Sequence, residues 1–236
     1  MHKAISVLQY LADCERAVSV KELAYSLNIP SASCYRLVRT LLEHNWVREV
    51  PEGGLRIAFG VAHVARSYSE VEALVSELEV PIRRLANDLG MSVKVSLREG
   101  HYATTALRAE PARPNAITSP IGYRFHLTIG SAAAVLLAQL SDEEVELILQ
   151  TAPDEAWKRQ AREDVWSRIR DCRVNGVCCD LGLQHPSIFA MSVPLKLSDL
   201  LTVALTAVGW KEDFESHKRE VITKHLTSVA LSLGDL

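Results

Sequence analysis

The feature that most constrains the fold is a pair of short amphipathic segments separated by a tight turn near the start of the chain. The segments VKELAYSL and SASCYRLVRTLLEH both repeat apolar residues at helical spacing, so each has one face suited to a core. Between them stands Pro30, which disfavours helical geometry in the residue before it and so ends the first segment. The pattern predicts two helices joined by a tight turn.

Local signals mark the ends of these helices. Ser19 and Glu22 have the Ser-x-x-Glu spacing of a capping box, which predicts the start of the first helix. Ser31 is placed to cap the second helix, and Asn45 suits the left-handed residue that ends one. An earlier amphipathic run over residues 4–13 predicts another helix with one face toward a core.

A short β-hairpin is predicted after the second helix. The runs WVREV and LRIA flank a turn made of Pro51, Glu52, Gly53 and Gly54. Two helices joined by a tight turn and followed by a hairpin make a winged helix-turn-helix. The second helix of that motif has the size to enter the major groove of B-form DNA.

The charge of this region is only weakly basic. Up to Gly60 the chain carries seven Lys or Arg and six Asp or Glu residues, so the region has a net charge of +1 and the remainder −4. Contact with DNA depends on where charges stand more than on their total. We interpret the outward positions of the second helix and the hairpin as a DNA-facing set, although any one arginine is equally well explained as solvated surface. These positions are Ser33, Arg36, Arg39, Thr40 and Arg56.

The remainder of the chain predicts a connector and a second domain. Residues 61–79 keep one broad apolar face, and a helix that restarts at Pro81 ends at Gly90. Beyond Gly90 the runs SVKVSL and YATTALRAE predict two strands joined by a turn. The later runs VCCD, IFAMSVPL and LLTVALTAV predict further strands.

Helices are predicted among and after these strands. Residues 131–140 are small and apolar and suit a buried helix, and Ser141 with Glu144 repeats the capping-box pattern before the next one. Two more helices are predicted at about residues 155–172 and 211–233. We expect a mixed sheet flanked by helices, an arrangement that can enclose a small-molecule pocket.

Composition and motifs argue against several classes of protein. Because no run of about 18 apolar residues is present and the chain does not begin with a signal sequence, we expect a cytoplasmic protein without membrane contact. The five cysteines contain no Cys-x-x-Cys pair, which argues against a disulfide scaffold or a metal site. Neighbouring Cys178 and Cys179 would point to opposite faces of a strand and so would not share one centre with His185. No nucleophile or phosphate-loop motif appears, so we expect neither an enzyme nor a cofactor.

The ordered set of segments resembles the IclR family of bacterial transcriptional regulators over essentially the whole chain. The head matches through VKELAYSLNIPSASCYRLVRTLLEHNWVRE, and the second part through LREG, IGYRFHLTIGSAAAVLLAQLSDEE and NGVCCDLGLQHPSIFAMSVPL. The resemblance implies an α+β chain with two domains. A winged helix-turn-helix DNA-binding domain would cover residues 1–59, a helical linker 60–80, and a GAF-like α/β effector-binding domain 81–236.

Members of this family are typically dimers or tetramers that bind operator DNA through the head and small, often acidic metabolites through the second domain. The resemblance therefore implies a homodimer or homotetramer on double-stranded operator DNA, and family habit favours repression over activation. Two heads on a palindrome multiply the specificity of one recognition helix. The implied DNA-binding residues are Ser31, Ser33, Tyr35, Arg36, Arg39, Thr40 and Arg56.

The resemblance also implies an effector site in the second domain. Ser131 and Ala132 would offer backbone amides to a carboxylate at the start of a helix. Asp180 matches an acidic position of the family, Ala190 a position in the pocket wall, and Thr206 a serine whose hydroxyl binds ligand. We expect ligand binding near Ser131 and Asp180 to shift the placement of two heads on their half-sites.

The pocket loop departs from the family pattern Gly-x-Arg-x-Pro-Leu-His-Ala-Thr-Ala-x-Gly-Lys. Gly122 and Arg124 match, but His126 replaces the proline and Thr128 the histidine. Further along, Gly182, Leu183 and Ser187 stand where Asp or Glu and Gly are more usual in the family, so a more apolar pocket is expected, suited to an organic or aromatic acid. Its added wall residues would be Phe125, Phe189, Met191 and Trp210. The alternative is a regulator whose second domain has lost its ligand and serves only for assembly.

Overall fold

The computed structural model describes residues 2–65, 69–114, 116–117, 119–199 and 201–234. The chain divides into two compact units, Met1–Glu72 and Ala73–Leu236, and each has its own hydrophobic core. The predicted limits of head, linker and second domain, at residues 59 and 80, stay a prediction.

The first unit contains a winged helix-turn-helix, as predicted. Its elements are α1 (His2–Asp13), α2 (Val20–Ser26), α3 (Ser31–Glu43), β1 (Val47–Glu49) and β2 (Leu55–Ile57). The two strands pair antiparallel, and Val18 adds a bridge to Leu55. Buried side chains such as Leu23 and Val38 join the helices to the hairpin in one core. Two more helices, α4 (Phe59–Ala65) and α5 (Ser69–Glu77), follow along the chain.

The helix ends agree only in part with the predicted caps. The Ser19 hydroxyl accepts from the Glu22 amide at 3.2 Å, but the Glu22 side chain does not complete the box because it pairs with Arg16. The prediction that Ser31 caps α3 is wrong, since Pro30 holds the cap position and makes Ser31 the first helical residue. Asn45 has φ of 56°, so the predicted left-handed end of α3 is confirmed.

The second unit is built on an antiparallel sheet. Its elements are α6 (Glu79–Leu89), β3 (Ser92–Glu99), β4 (Tyr102–Ala109), β5 (Arg124–His126), α7 (Gly130–Ala138), α8 (Asp142–Gln150), α9 (Arg162–Asn175), β6 (Cys178–His185), β7 (Ile188–Ser198), β8 (Leu201–Trp210) and α10 (Ser216–Leu233). The strand order is β5-β4-β3-β8-β7-β6, and the described neighbours all pair antiparallel. The prediction of a mixed sheet is therefore wrong, because short connections join β3 to β4 and β6 to β7 to β8 as hairpins.

Two other details of this unit differ from the sequence prediction. The short strand β5 lies inside the loop expected to form the pocket. The helix predicted from residue 155 is split, since a 3-10 turn covers Asp154–Trp157 and α9 begins only at Arg162. The Asp164 carboxylate accepts from the Ala161 amide at 2.6 Å and so marks that later start.

Helices cover both faces of the sheet. On one face α7 packs on β6, β7 and β8 and is itself covered by α9. All seven residues from Ser131 to Leu137 are buried, as expected for a helix enclosed by a sheet and a second helix. On the other face lie α6 and α10. Any side chain between α7 and the sheet is thereby removed from bulk water.

Candidate functional site

The outward side of α3 carries most of the predicted DNA-facing residues. Cys34, Val38 and Leu41 of this helix are buried in the core of the first unit, which leaves the opposite side in water. Ser33 is half-buried. The exposed members of the predicted set on this helix are Ser31, Tyr35, Arg36, Arg39 and Thr40. Their contact with DNA stays a prediction.

The arginines of this surface differ in how they are held. Arg39 donates from Nε to Oε1 of Glu43 at 3.0 Å, an exposed pair of a kind that contributes about 0.3–0.5 kcal/mol. Arg56 donates to the backbone carbonyl of Glu15 at 2.6 Å, which ties the hairpin to the segment after α1. The Arg36 side chain makes no hydrogen bond or ion pair within the part of the chain that the structure describes. Arg36 is therefore the arginine of α3 most available to a partner.

The hairpin contributes an arginine that the sequence reasoning missed. Arg48 of β1 stands directly opposite Arg56 of β2, and both are exposed. Like charges directly opposite on paired strands repel each other and destabilise the hairpin. An anion bound beside them would offset this repulsion. The signal was present in the sequence, because both arginines occupy the centre of a short strand in VREV and LRIA.

A cavity of about 210 Å³ lies between the start of α7 and the sheet of the second unit. The residues predicted to bind an effector all border it, although α7, β6, β7 and β8 each contribute only part of the set. These residues are Ser131, Ala132, Asp180, Ala190 and Thr206. Binding of a ligand there stays a prediction.

The apolar wall of the cavity differs from the one expected. Of the four proposed wall residues only Phe125 borders it. Because Ala190 faces the cavity, its strand neighbours Phe189 and Met191 face the other side of β7, where Phe189 packs on Phe214. Trp210 is 38% exposed at the end of β8. The apolar side chains that do form the wall are Tyr123, Phe125, Ile129, Ile188 and Val208.

Three hydroxyl groups form a buried chain beside the cavity. Ser131 Oγ lies 2.8 Å from Ser192 Oγ, which lies 2.9 Å from Thr206 Oγ1. Thr206 thus hydrogen-bonds to a buried side-chain hydroxyl. Ser192 was missed by the sequence reasoning, although its spacing of two from Ala190 places it on the same face of the strand.

The first turn of α7 offers backbone donors. The helix begins without a side-chain cap, so the first-turn amides of Ser131 and Ala132 lack the usual helical acceptors. Gly130 has φ of +81°, a conformation that L residues rarely adopt. A Cβ at Gly130 would lie 3.4 Å from Oδ2 of Asp180, so that carboxylate is close to the start of the helix.

Asp180 is the acidic group of the cavity. Only 6% of the residue is exposed, and Oδ1 accepts from the Leu183 amide at 2.8 Å. Burial raises the pKa of the Asp180 carboxyl. Hydrogen bonds from the backbone amides of Leu183 and Gly182 and the positive charges of Arg168 and Lys94 oppose this shift. The group can therefore accept a hydrogen bond from a ligand but adds negative charge to a confined site.

Lys94 is the basic group of the cavity and was also missed. It stands in the middle of β3, with Nζ 5.2 Å from the centre of the Phe125 ring. Burial lowers the pKa of the Lys94 ammonium, and the charge of Asp180 opposes that shift. A lysine inside the alternating run SVKVSL shares its face with Ser92 and Ser96, a signal that could have identified it.

The cysteines are poor candidates for chemistry. Cys178 lies in the core beneath α7, whereas Cys179 borders a groove beside α10, so the two point to opposite faces as predicted. Burial raises the pKa of Cys172 to about 11 and that of Cys178 further, which disfavours a reactive thiolate. Among the described residues, no group of three or more His, Cys, Asp or Glu side chains is placed to hold a metal ion. Within the same described ranges, no helix combines the length and the apolar character that a membrane crossing requires.

A winged helix-turn-helix, followed by an antiparallel α/β domain with a cavity between helix and sheet, defines a two-domain architecture. Two family models match the chain: the IclR helix-turn-helix domain over residues 2–51, and the bacterial transcriptional regulator IclR C-terminal domain over residues 67–234. The chain belongs to the IclR family of bacterial transcriptional regulators.

Curated relatives of the chain are named as repressors. It is 29% identical over 153 residues to the HTH-type transcriptional repressor AllR of Escherichia coli K12, which covers 64% of this chain and 56% of that protein. It is 25% identical over 150 residues to the transcriptional repressor IclR of the same strain, covering 62% and 55%. The matched region thus spans about half the length of these relatives.

Solved structures show the same fold. The Thermotoga maritima IclR structure aligns with a TM-score of 0.70 at 17% identity, over 99% of this chain and 98% of that one. An IclR transcriptional regulator from Alicyclobacillus acidocaldarius aligns with a TM-score of 0.72 at 17% identity, over 99% and 96%. At such identities the likeness concerns the fold.

Proposed function

We propose that the chain is a transcriptional repressor that binds operator DNA through α3 and the hairpin. The observation that carries the proposal is the exposed side of α3, where the Arg36 guanidinium has no partner among the described residues and Tyr35 is 52% exposed. Arginine and exposed polar side chains on a helix of this size match the hydrogen-bonding edges of the major groove. The repressor names of the relatives support the direction of control.

The proposed assembly is a homodimer or homotetramer acting on a palindromic operator in the cytoplasm. One recognition helix reads only a few base pairs, so two heads are needed for a site that is unique in a genome. Phosphate contacts from Arg48 and Arg56 would make the affinity fall as salt rises.

The proposed effector is a small organic acid bound in the cavity beside α7. Support comes from three features that border one cavity: the basic group Lys94, the uncapped amides of Ser131 and Ala132, and the aromatic side chains of Tyr123 and Phe125. Occupation of the cavity is proposed to change operator affinity, which requires that the ligand bind one DNA-binding state more tightly than another.

The DNA proposal is tested by selecting genomic fragments with the purified chain and with Arg36→Ala. We expect one palindromic site to be enriched by the wild type and lost in the variant. Arg84→Ala is the matched control, because it removes the same charge from an exposed position on α6 of the second unit. Failure of the wild type to enrich any site, with and without added acids, would contradict the proposed function.

The assembly-only alternative is separated from effector binding by thermal unfolding in the presence of carboxylic acids. A ligand that binds only the folded state raises the unfolding temperature by mass action. Operator binding without any such shift across a broad acid panel would support the alternative, in which the second domain serves only for assembly.

A further inference from the structure

Lys94 is a half-buried cation at the edge of the cavity, and no acidic side chain among the described residues pairs with it directly. Its Nζ faces the Phe125 ring at 5.2 Å and forms neither a hydrogen bond nor an ion pair with any residue the structure describes. Asp180 borders the same cavity but is not close enough to pair with it. Burial of a charge is costly unless an opposite charge is supplied, so the cavity is suited to a ligand that brings an anion to Lys94.

The position of Asp180 decides where that anion binds. Its Oδ2 lies 3.4 Å from the place of a Cβ on Gly130, so a negative charge already stands beside the first turn of α7. The Asp180 charge therefore already stands near the positive end of the α7 dipole, although no first-turn amide of the described helix donates to it. A ligand carboxylate at the same place would meet a like charge at short range, whereas at Lys94 it meets an opposite one.

We propose that Lys94 is the specificity-determining residue of the cavity, which binds the carboxylate of a hydroxy or amino acid whose donor group is accepted by Asp180. The inference rests on the proposed function only in that it takes this cavity for the effector site. It goes further by assigning the ligand's charge to a lysine of β3 and by requiring a second polar group on the ligand.

The shifts of the two charged groups agree with this geometry. Burial lowers the pKa of Lys94 and raises that of Asp180, so the protein's own surroundings disfavour both charged forms. A ligand with an anion for one and a hydrogen-bond donor for the other stabilises both charged forms at once. A simple acid provides only the first interaction, and a neutral alcohol only the second.

The experiment is calorimetric titration of the full chain with two matched series. The aliphatic series is lactate, alanine, propionate and lactamide, and the aromatic series is mandelate, phenylglycine, phenylacetate and mandelamide. In each series the third compound lacks the donor and the fourth lacks the charge. We expect one series to bind, with the hydroxy or amino acid at least about tenfold tighter than either deletion compound.

Two variants assign the two contacts. Lys94→Met is expected to weaken binding of the acid about thirtyfold or more while leaving the amide little changed. Asp180→Asn is expected to reduce the preference for the hydroxy or amino acid over the simple acid. Lys211→Met, which removes an exposed lysine of the same unit, is the matched control and should bind as the wild type does. Circular dichroism confirms that each variant is folded.

Several results would overturn the inference. These are equal binding of acid and amide by the wild type, undiminished acid binding by Lys94→Met, an unchanged preference in Asp180→Asn, or no binding in either series. Because the titration contains no DNA, its outcome is independent of operator selection. A chain that binds these acids but no operator would refute the proposed function and leave the assignment of Lys94 intact.

Discussion

The exposed side of α3 and the cavity beside α7 place their charges in opposite surroundings. On α3, Arg36 and Arg39 stand in water, where nearby charges are screened and an ion pair contributes little. In the cavity, Asp180 is buried and Lys94 is half-buried, and burial raises the pKa of Asp180 and lowers that of Lys94, so the neutral form of each is favoured. The first surface costs the fold little and is available to a large partner. The second holds charged groups at a cost that a small ligand can offset.

This difference predicts which measured properties a substitution in each region will change. Changes on α3 should alter the affinity for DNA and leave the free energy of unfolding almost unchanged. Changes around the cavity should alter the free energy of unfolding and ligand affinity together, because the same buried groups serve both.

Arg36→Ala is expected to show the largest difference between its effect on operator binding and its effect on the free energy of unfolding. Loss of one arginine contact in the groove should cost about 1–3 kcal/mol of operator binding, whereas the free energy of unfolding should change by less than about 0.5 kcal/mol. Fluorescence anisotropy with the selected operator and urea unfolding measure the two quantities. A variant that unfolds more easily but binds DNA normally would reverse the comparison.

Gly130→Ala should act mainly on the second unit. With φ of +81° at this position, a Cβ should destabilise the fold by about 1–2 kcal/mol and displace the start of α7. Gly100→Ala is the matched control, since Gly100 has φ of +62° in a hairpin turn away from the cavity residues. Urea unfolding should show a similar loss in both, while calorimetry should show weaker acid binding only in Gly130→Ala. Equal acid binding by the two variants would argue against the role of α7.

Thr206→Val tests the buried hydroxyl chain. Removing the hydroxyl leaves Ser192 with one partner fewer, and the free energy of unfolding should fall by about 1 kcal/mol. Thr40→Val on exposed α3 removes a hydroxyl that donates to the Arg36 carbonyl, and its effect on unfolding should be below about 0.5 kcal/mol. Similar losses of unfolding free energy in the two variants would remove the proposed contrast between exposed and buried hydroxyls.

The smallest effect is expected from pH. Because burial lowers the pKa of Lys94, its positive charge should begin to be lost below its ordinary pKa of 10.5, so affinity for an acid should fall severalfold as pH rises toward that value. The other ionisable groups around it in the described part of the chain include Asp180 of β6, Arg108 opposite on β4, Glu110 after β4, Tyr123 before β5 and Arg168 of α9. Titrations of Lys94→Met provide the control, because they should lack this alkaline decline. A wild-type affinity independent of pH would show that Lys94 does not bind the carboxylate.

The exposed surface was largely predictable from the sequence, because helical periodicity alone separates Cys34 and Val38 from Arg36 and Arg39. The cap at Ser31 was not, since the path of the turn makes Pro30 the cap residue. Family resemblance located Asp180 and Thr206, but a single strand pattern does not say which strands become neighbours.

The missed cavity residues illustrate that limit. Lys94 and Thr206 are more than a hundred positions apart in the sequence, yet they are direct partners across β3 and β8. Alternation along β3 predicts which face of the strand Lys94 shares with Ser92 and Ser96. Only the order of the strands in the sheet shows that Thr206 and Asp180 border the same cavity as Lys94. Alternation along β7 explains why Phe189 and Met191 do not border the cavity, since Ala190 between them faces it.

The most direct test of the account is the operator affinity of the full chain with and without the acid that calorimetry identifies. Coupling of the two functions predicts that saturating acid changes the operator dissociation constant by about fivefold or more, and that Lys94→Met needs a much higher acid concentration for the same change. An acid that binds the cavity while the operator dissociation constant stays the same would contradict the account.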